Sequence, residues 1–286
     1  MVSIVIPAHN EAAVVVDNLR HLLDGAGQDE FDVIVVANAC TDATAEAARR
    51  VPGVRVLETP VPGKPNAIRI GDKDCRSWPR IYLDADVRLS AGSVRALVAA
   101  CTTPGVLACA PLPELDLTGV GPVARRVHRV HDLMIAPTRA LAGVGVYVLT
   151  EPGHARVFPV PDIISDDGWV HTGFTPQERL VVREARSLVR PARTVSAYLN
   201  RRVRVRRGNR QLAELGRTVP GGGPSLRTLL GLVTRRRVSP LDAGCYLTVL
   251  VLDRLVTRLR GRRGNALGGN AWGSDLSSRV AGPGDD

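Results

Sequence analysis

The sequence predicts an α/β fold in which a mostly parallel sheet lies between two layers of helices. Three observations lead to this prediction. Short apolar runs alternate with amphipathic helical segments through the first hundred residues. The apolar runs are nearly continuous, which is typical of strands that are buried on both faces. Hydrophobic residues make up 44% of the 286-residue chain and aromatic residues only 3%, so the core consists mainly of aliphatic side chains.

Four predicted strands, each followed by a helix, account for the first hundred residues. The strands are expected at residues 2–6, 31–37, 54–58 and 80–83, and the helices at 11–23, 43–50, 65–71 and 93–100. In parallel sheets of this kind, ligands bind beyond the carboxyl ends of the strands. The polar residues that directly follow each predicted strand are therefore the first candidates for a functional site.

The rest of the chain is less regular and ends in helices. Strands are predicted at 106–110, 144–149, 179–182 and 187–189, and helices at 123–136, 194–210, 225–233 and 239–259. We expect a catalytic domain over residues 1–216, a helical extension over 217–260 and a disordered, Gly- and Ser-rich tail over 261–286. No apolar run reaches the roughly 18 residues of a membrane-spanning helix, and the N-terminus lacks the features of a secretory signal.

The formal charge of +10, from 38 basic and 28 acidic side chains, is concentrated in one part of the chain. Residues 179–263 carry 21 basic and 4 acidic side chains, whereas residues 1–178 are net acidic. Such a basic segment suits nucleic acid, an anionic membrane surface or a phosphorylated ligand. The low aromatic content argues against single-strand nucleic-acid platforms, which stack bases on aromatic rings. The five cysteines show no CxxC spacing, which argues against a zinc or disulfide framework and indicates a reducing, cytoplasmic environment.

Asp84 and Asp86 are the candidate metal ligands. They directly follow the apolar strand predicted at residues 80–83, so both carboxylates lie at a strand end. Mg²⁺ and Mn²⁺ are hard cations that take one or two carboxylates together with phosphate oxygens and water. The pair therefore predicts a site for Mn²⁺ or Mg²⁺ with a diphosphate, and the alternative is an ordinary solvated turn.

Three further polar residues lie at or before predicted helix starts. Lys64, one of only two lysines in the chain, precedes Pro65, a residue that favours the first turn of a helix. A lysine at a helix N-terminus favours an anionic phosphate or a nucleobase carbonyl, and the alternative is an ordinary lysine in a surface loop. Asp42 and Glu11 are acids near a first helical turn, where a carboxylate caps the helix or interacts with its dipole. Each of the two also suits hydrogen bonding to a nucleotide.

In their order along the chain, these segments resemble the inverting family 2 glycosyltransferases, which have the A-type nucleotide-sugar transferase fold. The resemblance spans roughly residues 2–210 and is strongest before residue 90. It rests on residues 2–11, residues 38–44, Gly63 and Lys64 with Ala67 and Gly71, and the Asp84-Ala85-Asp86 motif. It implies an enzyme that transfers a sugar from a UDP- or GDP-sugar with the help of a divalent cation.

The resemblance also implies roles for individual residues. It assigns the ribose and the metal to Asp84 and Asp86, and contacts with the nucleotide sugar to Pro7, Ala8, Glu11, Asn38 and Lys64. Asn38 departs from the family, which usually has an aspartate there. Its amide still accepts a hydrogen bond and also donates one, so the resemblance leaves the preferred base open.

A second acidic pair, Asp166 and Asp167, is similar to the pair that carries the catalytic base of the family. Inverting transfer needs a carboxylate that removes the proton of the acceptor hydroxyl as its oxygen attacks the sugar. Asp167 takes the position of that base, Asp166 takes that of its usual glutamate partner, and adjacent carboxylates raise each other's pKa. As an alternative, Ser165 or Asp166 only caps the following helix.

Arg201 and Arg204 lie in the arginine cluster of residues 201–210, where the family has a Gln-x-x-Arg-Trp segment beside the donor diphosphate. They match the first and fourth positions of that segment, although the chain has neither its glutamine nor its tryptophan there. Arginine forks suit bidentate phosphate binding. A solvated or nucleic-acid-binding helix is the alternative.

We therefore expect an inverting, metal-dependent glycosyltransferase with a hydroxyl or phosphate acceptor and without a nucleic-acid partner. Two other functions stay open, nucleic-acid binding through residues 179–263 and nucleotide transfer to a sugar phosphate. The second is disfavoured because no glycine-rich loop follows the first strand. The helix predicted at 239–259 combines leucines with arginines. It suits either an anionic membrane surface with a lipid-linked acceptor at the inner face, or packing against the domain or a second subunit.

Overall fold

The structure, a computed structural model, describes residues 1–218 and 225–262, and of residues 257–262 only the backbone. From residue 263 onward, the tail that is predicted to be disordered lies outside the described residues. Within the described ranges, no helix is both long enough and apolar enough to cross a membrane.

Strands and helices alternate in the N-terminal part, as predicted. In chain order the elements are β1 (Val2–Ala8), α1 (Val15–Leu23), β2 (Phe31–Asn38), α2 (Thr44–Arg49), β3 (Val54–Thr59), α3 (Lys64–Lys73), β4 (Arg80–Leu83), β5 (Val87–Leu89) and α4 (Ala91–Ala100). Helix α1 begins four residues later than predicted, after a turn in which Asn10 has a φ of 55°. A residue in this left-handed region does not continue a right-handed helix.

Strands and helices of the second part differ more from the prediction. They are β6 (Ala108–Leu115), α5 (Pro122–Ile135), β7 (Val146–Leu149), α6 (Glu151–Val157), α7 (Asp166–Thr172), β8 (Arg179–Val189), α8 (Val195–Glu214), α9 (Leu226–Thr234) and α10 (Pro240–Arg262). The prediction of two separate strands at 179–182 and 187–189 is wrong. Residues of both ranges belong to the continuous strand β8, and the pairing of β8 with β6 contains a register shift. Helix α10 also extends two residues into the predicted tail.

The described strands form one eight-stranded sheet in the order β3-β2-β1-β4-β7-β6-β8-β5. The neighbours β3, β2, β1 and β4 are parallel, as are β6 and β8. Strand β7 runs antiparallel to both its neighbours, and β5 antiparallel to β8, so the sheet is mixed. Because β1, β2 and β4 run in one direction, their carboxyl ends meet at the same edge, where Asn38 ends β2 and Asp84 follows β4.

Helices cover both faces of this sheet, which confirms the predicted three-layer α/β architecture. Helices α1, α2 and α4 pack on one face, and α3, α6 and α7 on the other. Helix α3 lies very close to the strands, since a Cβ atom on Gly71 would be 2.5 Å from Val5 Cγ1. This packing fixes the position of Lys64, the first residue of α3.

The C-terminal helices form a separate apolar cluster with α5 and α8. Tyr246 of α10 is 1% exposed in this cluster. Next to it, the buried Asp253 carboxylate accepts hydrogen bonds from Arg202 at 2.8 Å and from both terminal nitrogens of Arg206 at 2.6 and 2.9 Å. One face of α10 therefore packs against the domain, which is one of the two arrangements predicted for this helix. Part of the arginine cluster of residues 201–210 makes this contact.

Candidate active site

The ends of β1 and β2 form one side of the site, where Pro7 and Ala8 are buried. His9 donates a hydrogen bond from Nδ1 to the Asn38 carbonyl oxygen at 2.7 Å. The Asn38 side chain is fully buried, yet neither Oδ1 nor Nδ2 has a hydrogen-bond partner among the described residues. A buried polar group without a partner costs about 1–3 kcal/mol. The amide is therefore suited to a ligand that both donates and accepts hydrogen bonds, as the edge of a nucleobase does.

Asp42 and Glu11 hold the loops that follow these two strands. The Asp42 carboxylate accepts hydrogen bonds from the amides of Ala12 at 3.1 Å and Thr44 at 3.0 Å, and from the Thr44 hydroxyl. Burial acts to raise the Asp42 pKa, but these hydrogen bonds outweigh burial and lower the pKa below its usual value. Glu11 is buried, and its amide donates to the Thr44 hydroxyl at 2.8 Å. The Asp42 carboxylate and the Glu11 backbone thus order the loops, and the contact of these residues with a nucleotide stays a prediction.

Asp84 and Asp86 lie in the turn between β4 and β5, and both are half-buried. The turn is closed by the Val87 amide, which donates to the Asp84 carbonyl at 3.0 Å. The Asp84 amide in turn donates to the carbonyl of Gly145 at 2.8 Å. The two carboxylates are thus held at the predicted strand end by backbone hydrogen bonds and stay partly accessible, as metal ligands must be.

Lys64 links this turn to the acidic pair of α7. Its Nζ atom lies 2.6 Å from Asp84 Oδ1 and 3.1 Å from Asp166 Oδ1. Burial acts to lower the Lys64 pKa, but the carboxylates of Asp166, Asp84 and Asp167 outweigh burial and raise the pKa above its usual value. A charged ammonium group therefore joins the end of β4 to the start of α7.

Asp166 is the buried member of the acidic pair, with 3% of its side chain exposed. Burial raises its pKa to about 6; Lys64 opposes this rise, and the charges of Asp167 and Asp84 add to it. Its Oδ2 atom has no hydrogen-bond partner in the described part of the chain. Asp166 is therefore placed as the charge partner of Lys64 rather than as an accessible base.

Asp167 is half-buried, and three donors fix its carboxylate. Oδ2 accepts from the Gly143 amide at 2.6 Å, and Oδ1 accepts from the Gly168 amide at 2.7 Å and the Ser165 hydroxyl at 3.1 Å. The Ser165 side chain thus binds Asp167 and does not cap α7. An accessible carboxylate of fixed orientation is what a general base needs.

Tyr147 also belongs to the site, and it is not among the predicted site residues. Tyr147 is 3% exposed, and its hydroxyl has no hydrogen-bond partner among the described residues. Burial raises its pKa well above the usual value, and the charges of Asp166 and Asp84 raise it further. Only the antiparallel pairing of β7 with β4 brings this tyrosine to the carboxylates, and no local sequence pattern signals that pairing.

Helix α8 packs against the start of α7 through a small residue. A Cβ atom on Gly208 would lie 2.9 Å from Ser165 Cβ, and the Ile164 amide donates to Gln211 Oε1 at 2.9 Å. Arg204 and Arg201 lie about one and two turns before Gly208 on the same helix face, because residues four and seven apart share a face. Arg204 is half-buried and Arg201 exposed. The structure shows neither of them bonded to the acidic pair, so their contact with the diphosphate stays a prediction.

The donor chemistry of the turn at Asp84 and Asp86 fits a hard divalent cation, which prefers carboxylate oxygens. The Lys64 ammonium group against Asp84 shows that this carboxylate already faces a positive charge. Among the described residues, no three His, Cys, Asp or Glu side chains are grouped to hold a metal. A Mn²⁺ or Mg²⁺ ion held by these two carboxylates would need further ligands such as phosphate oxygens and water, which are usual for such ions at nucleotide sites.

Comparison with known proteins gives a family match for the N-terminal part of the chain. Residues 3–128 match the family model "Glycosyl transferase family 2". A search of curated protein sequences finds no significant match.

Two solved structures show the same fold. The first is a mannosyltransferase from Pyrobaculum calidifontis in complex with GDP-Man and Mn²⁺; it is 18% identical, with 97% of this chain and 84% of that chain covered and a TM-score of 0.58. The second is glucosyl-3-phosphoglycerate synthase from Mycobacterium tuberculosis with Mn²⁺, UDP-Glc and phosphoglyceric acid. It is 21% identical, with 77% of this chain and 82% of that chain covered and a TM-score of 0.54. Residues 3–128 are thus similar to the family 2 glycosyltransferases, and the chain shares the α/β fold of these two solved structures.

Proposed function

We propose that the protein transfers a sugar from a UDP- or GDP-sugar to a hydroxyl or phosphate group, with inversion at the anomeric carbon and with Mn²⁺ or Mg²⁺ bound. The observation that carries this proposal is the Lys64 bridge, which joins Asp84 at the end of β4 to Asp166 at the start of α7. The turn of Asp84 and Asp86 and the acidic pair therefore lie next to each other, as direct transfer between donor and acceptor requires. Two proteins of the same fold were solved with GDP-Man or UDP-Glc and Mn²⁺, which supports this donor class.

Asp167 is the general base of the proposed reaction. For a hydroxyl acceptor, its carboxylate takes the proton while the acceptor oxygen forms a bond to the anomeric carbon, and the bond to the nucleoside diphosphate breaks on the opposite face. Asp167 suits this role better than Asp166, because Asp166 is buried and already engaged with Lys64. The hydrogen bonds from Gly143, Ser165 and Gly168 hold the Asp167 carboxylate in a fixed orientation before the acceptor binds.

The donor is bound by three groups of residues in this proposal. Asn38 and Glu11, with Pro7 and Ala8, border the base and ribose at the ends of β1 and β2. Lys64 and the arginines Arg201 and Arg204 of α8 face the diphosphate. Asp84 and Asp86 hold the cation, which when bound offsets the charge of the leaving diphosphate.

A donor panel tests the proposal. Binding of UDP-Glc, GDP-Man, UDP and GDP is measured by calorimetry with and without Mn²⁺, for the wild type and for Asp86→Ala. We expect one nucleotide family to bind in the presence of Mn²⁺ and Asp86→Ala to weaken that binding at least tenfold, because it removes one of two carboxylate ligands. Binding of no nucleotide, or equal binding by Asp86→Ala, would contradict the proposal.

We also propose that α9 and α10 dock on the anionic inner surface of the cytoplasmic membrane, where a lipid-linked acceptor would be found. Exposed leucines on these two helices are Leu226, Leu230, Leu241, Leu252 and Leu255. The arginines of the same segment are Arg227, Arg235, Arg236, Arg237 and Arg254. The two acids between them, Asp242 and Asp253, are bound to arginines of α5 and α8. Apolar side chains beside cations suit an anionic bilayer surface.

Sedimentation with lipid vesicles tests this contact. We expect binding to vesicles that contain phosphatidylglycerol and not to pure phosphatidylcholine, and we expect Leu252→Ser with Leu255→Ser to weaken it at least tenfold. Leu180→Ser with Leu215→Ser is the matched control, because these exposed leucines lie on β8 and after α8. Equal binding to both lipids, equal loss in both double variants, or a stable dimer formed through these leucines would contradict the proposal.

A further inference from the structure

The loop of Gly143, Val144 and Gly145 connects the two halves of the site. At one end, the Gly143 amide donates to Asp167 Oδ2 at 2.6 Å. At the other end, the Gly145 carbonyl accepts from the Asp84 amide at 2.8 Å. One three-residue segment is thus bonded both to the proposed base and to the first residue of the metal-binding turn.

This loop is anchored by a buried side chain, and its two glycines are constrained for different reasons. Val144, between them, is 2% exposed and packs in the apolar cluster under α3, α6 and α7. Gly143 and Gly145 have φ values of 79° and 70°, a region that residues with a Cβ atom seldom adopt. A Cβ atom on Gly143 would meet nothing within 4 Å, whereas one on Gly145 would lie 2.6 Å from Val87 Cγ2 and 3.5 Å from Asp84 Oδ2. Gly143 is therefore constrained by backbone conformation, and Gly145 also by space.

We propose that this loop is a positioning element that sets the orientation of Asp167 relative to the turn at Asp84 and Asp86. Gly143 fixes the carboxylate oxygen Oδ2 of Asp167, and Gly145 fixes the turn through its carbonyl and through the room that it leaves beside Val87. The inference rests on the proposed roles of Asp167 and of the metal-binding turn. It predicts that the two glycines, although one residue apart, affect different steps of the reaction.

Gly143→Val tests the base side of the loop. A β-branched residue at positive φ is strained, so the loop changes conformation and the amide leaves Asp167. We expect the rate of donor turnover to fall about 10- to 100-fold, the loss that a misplacement of about 1 Å causes, while the dissociation constant of the donor with Mn²⁺ stays within about twofold of the wild type. Gly105→Val is the matched control, because Gly105 is also exposed, has a φ of 83° and has nothing within 4 Å of its Cβ position.

Gly145→Ala tests the metal side. Its Cβ atom would lie 2.6 Å from Val87 Cγ2, so Val87 must shift, and Val87 directly follows the turn of Asp84 and Asp86. We therefore expect the Mn²⁺-dependent affinity for the nucleoside diphosphate to fall at least tenfold. Thermal unfolding of each variant identifies loss of fold, and if Gly143→Val does not fold, the comparison uses Gly143→Ala with Gly105→Ala. The inference is overturned if Gly143 and Gly105 variants have equal turnover, or if Gly145→Ala binds Mn²⁺ and nucleotide as the wild type does. Wild-type turnover in Asp167→Asn would instead refute the assignment of the base.

Discussion

Replacing Lys64 with methionine removes the ammonium group between Asp84 and Asp166 and leaves the buried carboxylate of Asp166 without its partner. Breaking a buried ion pair in this way costs about 3–5 kcal/mol. Asp166 limits the loss by taking up a proton. In the folded wild type at pH 7, protonating Asp166 costs only about 1.4 kcal/mol, since its pKa of about 6 lies about one unit below that pH. We therefore expect Lys64→Met to lower the free energy of unfolding at pH 7 by about 1–3 kcal/mol, less than the loss for a buried pair whose charge stays uncompensated.

The loss in free energy of unfolding caused by Lys64→Met should become smaller as the pH falls. Burial raises the Asp166 pKa to about 6 in the wild type, and removing Lys64 raises the pKa further. A carboxyl with a raised pKa in the folded state destabilises the protein above its unfolded-state pKa, and this effect fades as the pH falls toward that value. Urea unfolding at pH 7 and pH 5 should therefore show that the difference from the wild type falls to about half or less at pH 5.

Lys73→Met is the matched control for this experiment. Lys73 is the other lysine of the chain and lies exposed at the end of the same helix, α3. Its replacement should change the free energy of unfolding by no more than about 0.5 kcal/mol, as is usual for surface residues. Equal effects of the two substitutions, or a loss in Lys64→Met that is the same at pH 7 and pH 5, would refute the reasoning.

Three further predictions concern the parts of the structure around this bridge. Asn38→Leu should raise the free energy of unfolding by about 1 kcal/mol or more, because it removes two unpaired buried polar atoms, and should weaken nucleotide binding at least tenfold in calorimetry; unchanged binding would contradict the placement of the base. Asp253→Asn should lower the free energy of unfolding by about 2 kcal/mol or more, because the arginines of α8 lose their buried partner, and should raise hydrogen exchange in α10 while nucleotide affinity stays unchanged. Gly208→Ala should cost about 1–3 kcal/mol in urea unfolding by overpacking α8 against Ser165, and a neutral effect would contradict that close approach.

The N-terminal part of the fold was predictable because its strands are buried on both faces and therefore have continuous apolar sequences. Residues 31–37, for example, form the strand β2 with one residue added at its end. The start of α3 at Lys64 follows from Pro65, whose fixed φ suits the first turn of a helix. The placement of Asp84 and Asp86 at a strand end follows in the same way from the apolar run before them.

The remaining features depend on contacts between distant segments, which no local pattern encodes. Strand β5 has three residues, and α6 contains Pro152 and Gly153, so neither has a clear signal of its own. The bridge from Lys64 to Asp166 and the approach of Tyr147 arise from the packing of α3 and the antiparallel insertion of β7. The arginine cluster appeared uniform in sequence, whereas the structure divides it between residues that hold α10 and residues that face away from Asp253.

The central claim of this account is that Asp167 acts as the base of a metal-dependent sugar transfer. It is tested most directly by measuring release of nucleoside diphosphate from the donor selected in the binding panel, with Mn²⁺, for the wild type and Asp167→Asn. We predict that Asp167→Asn binds the donor within about twofold of the wild type but loses at least about 100-fold in turnover, within the range that general base catalysis contributes. Turnover of the variant at the wild-type rate would contradict the claim.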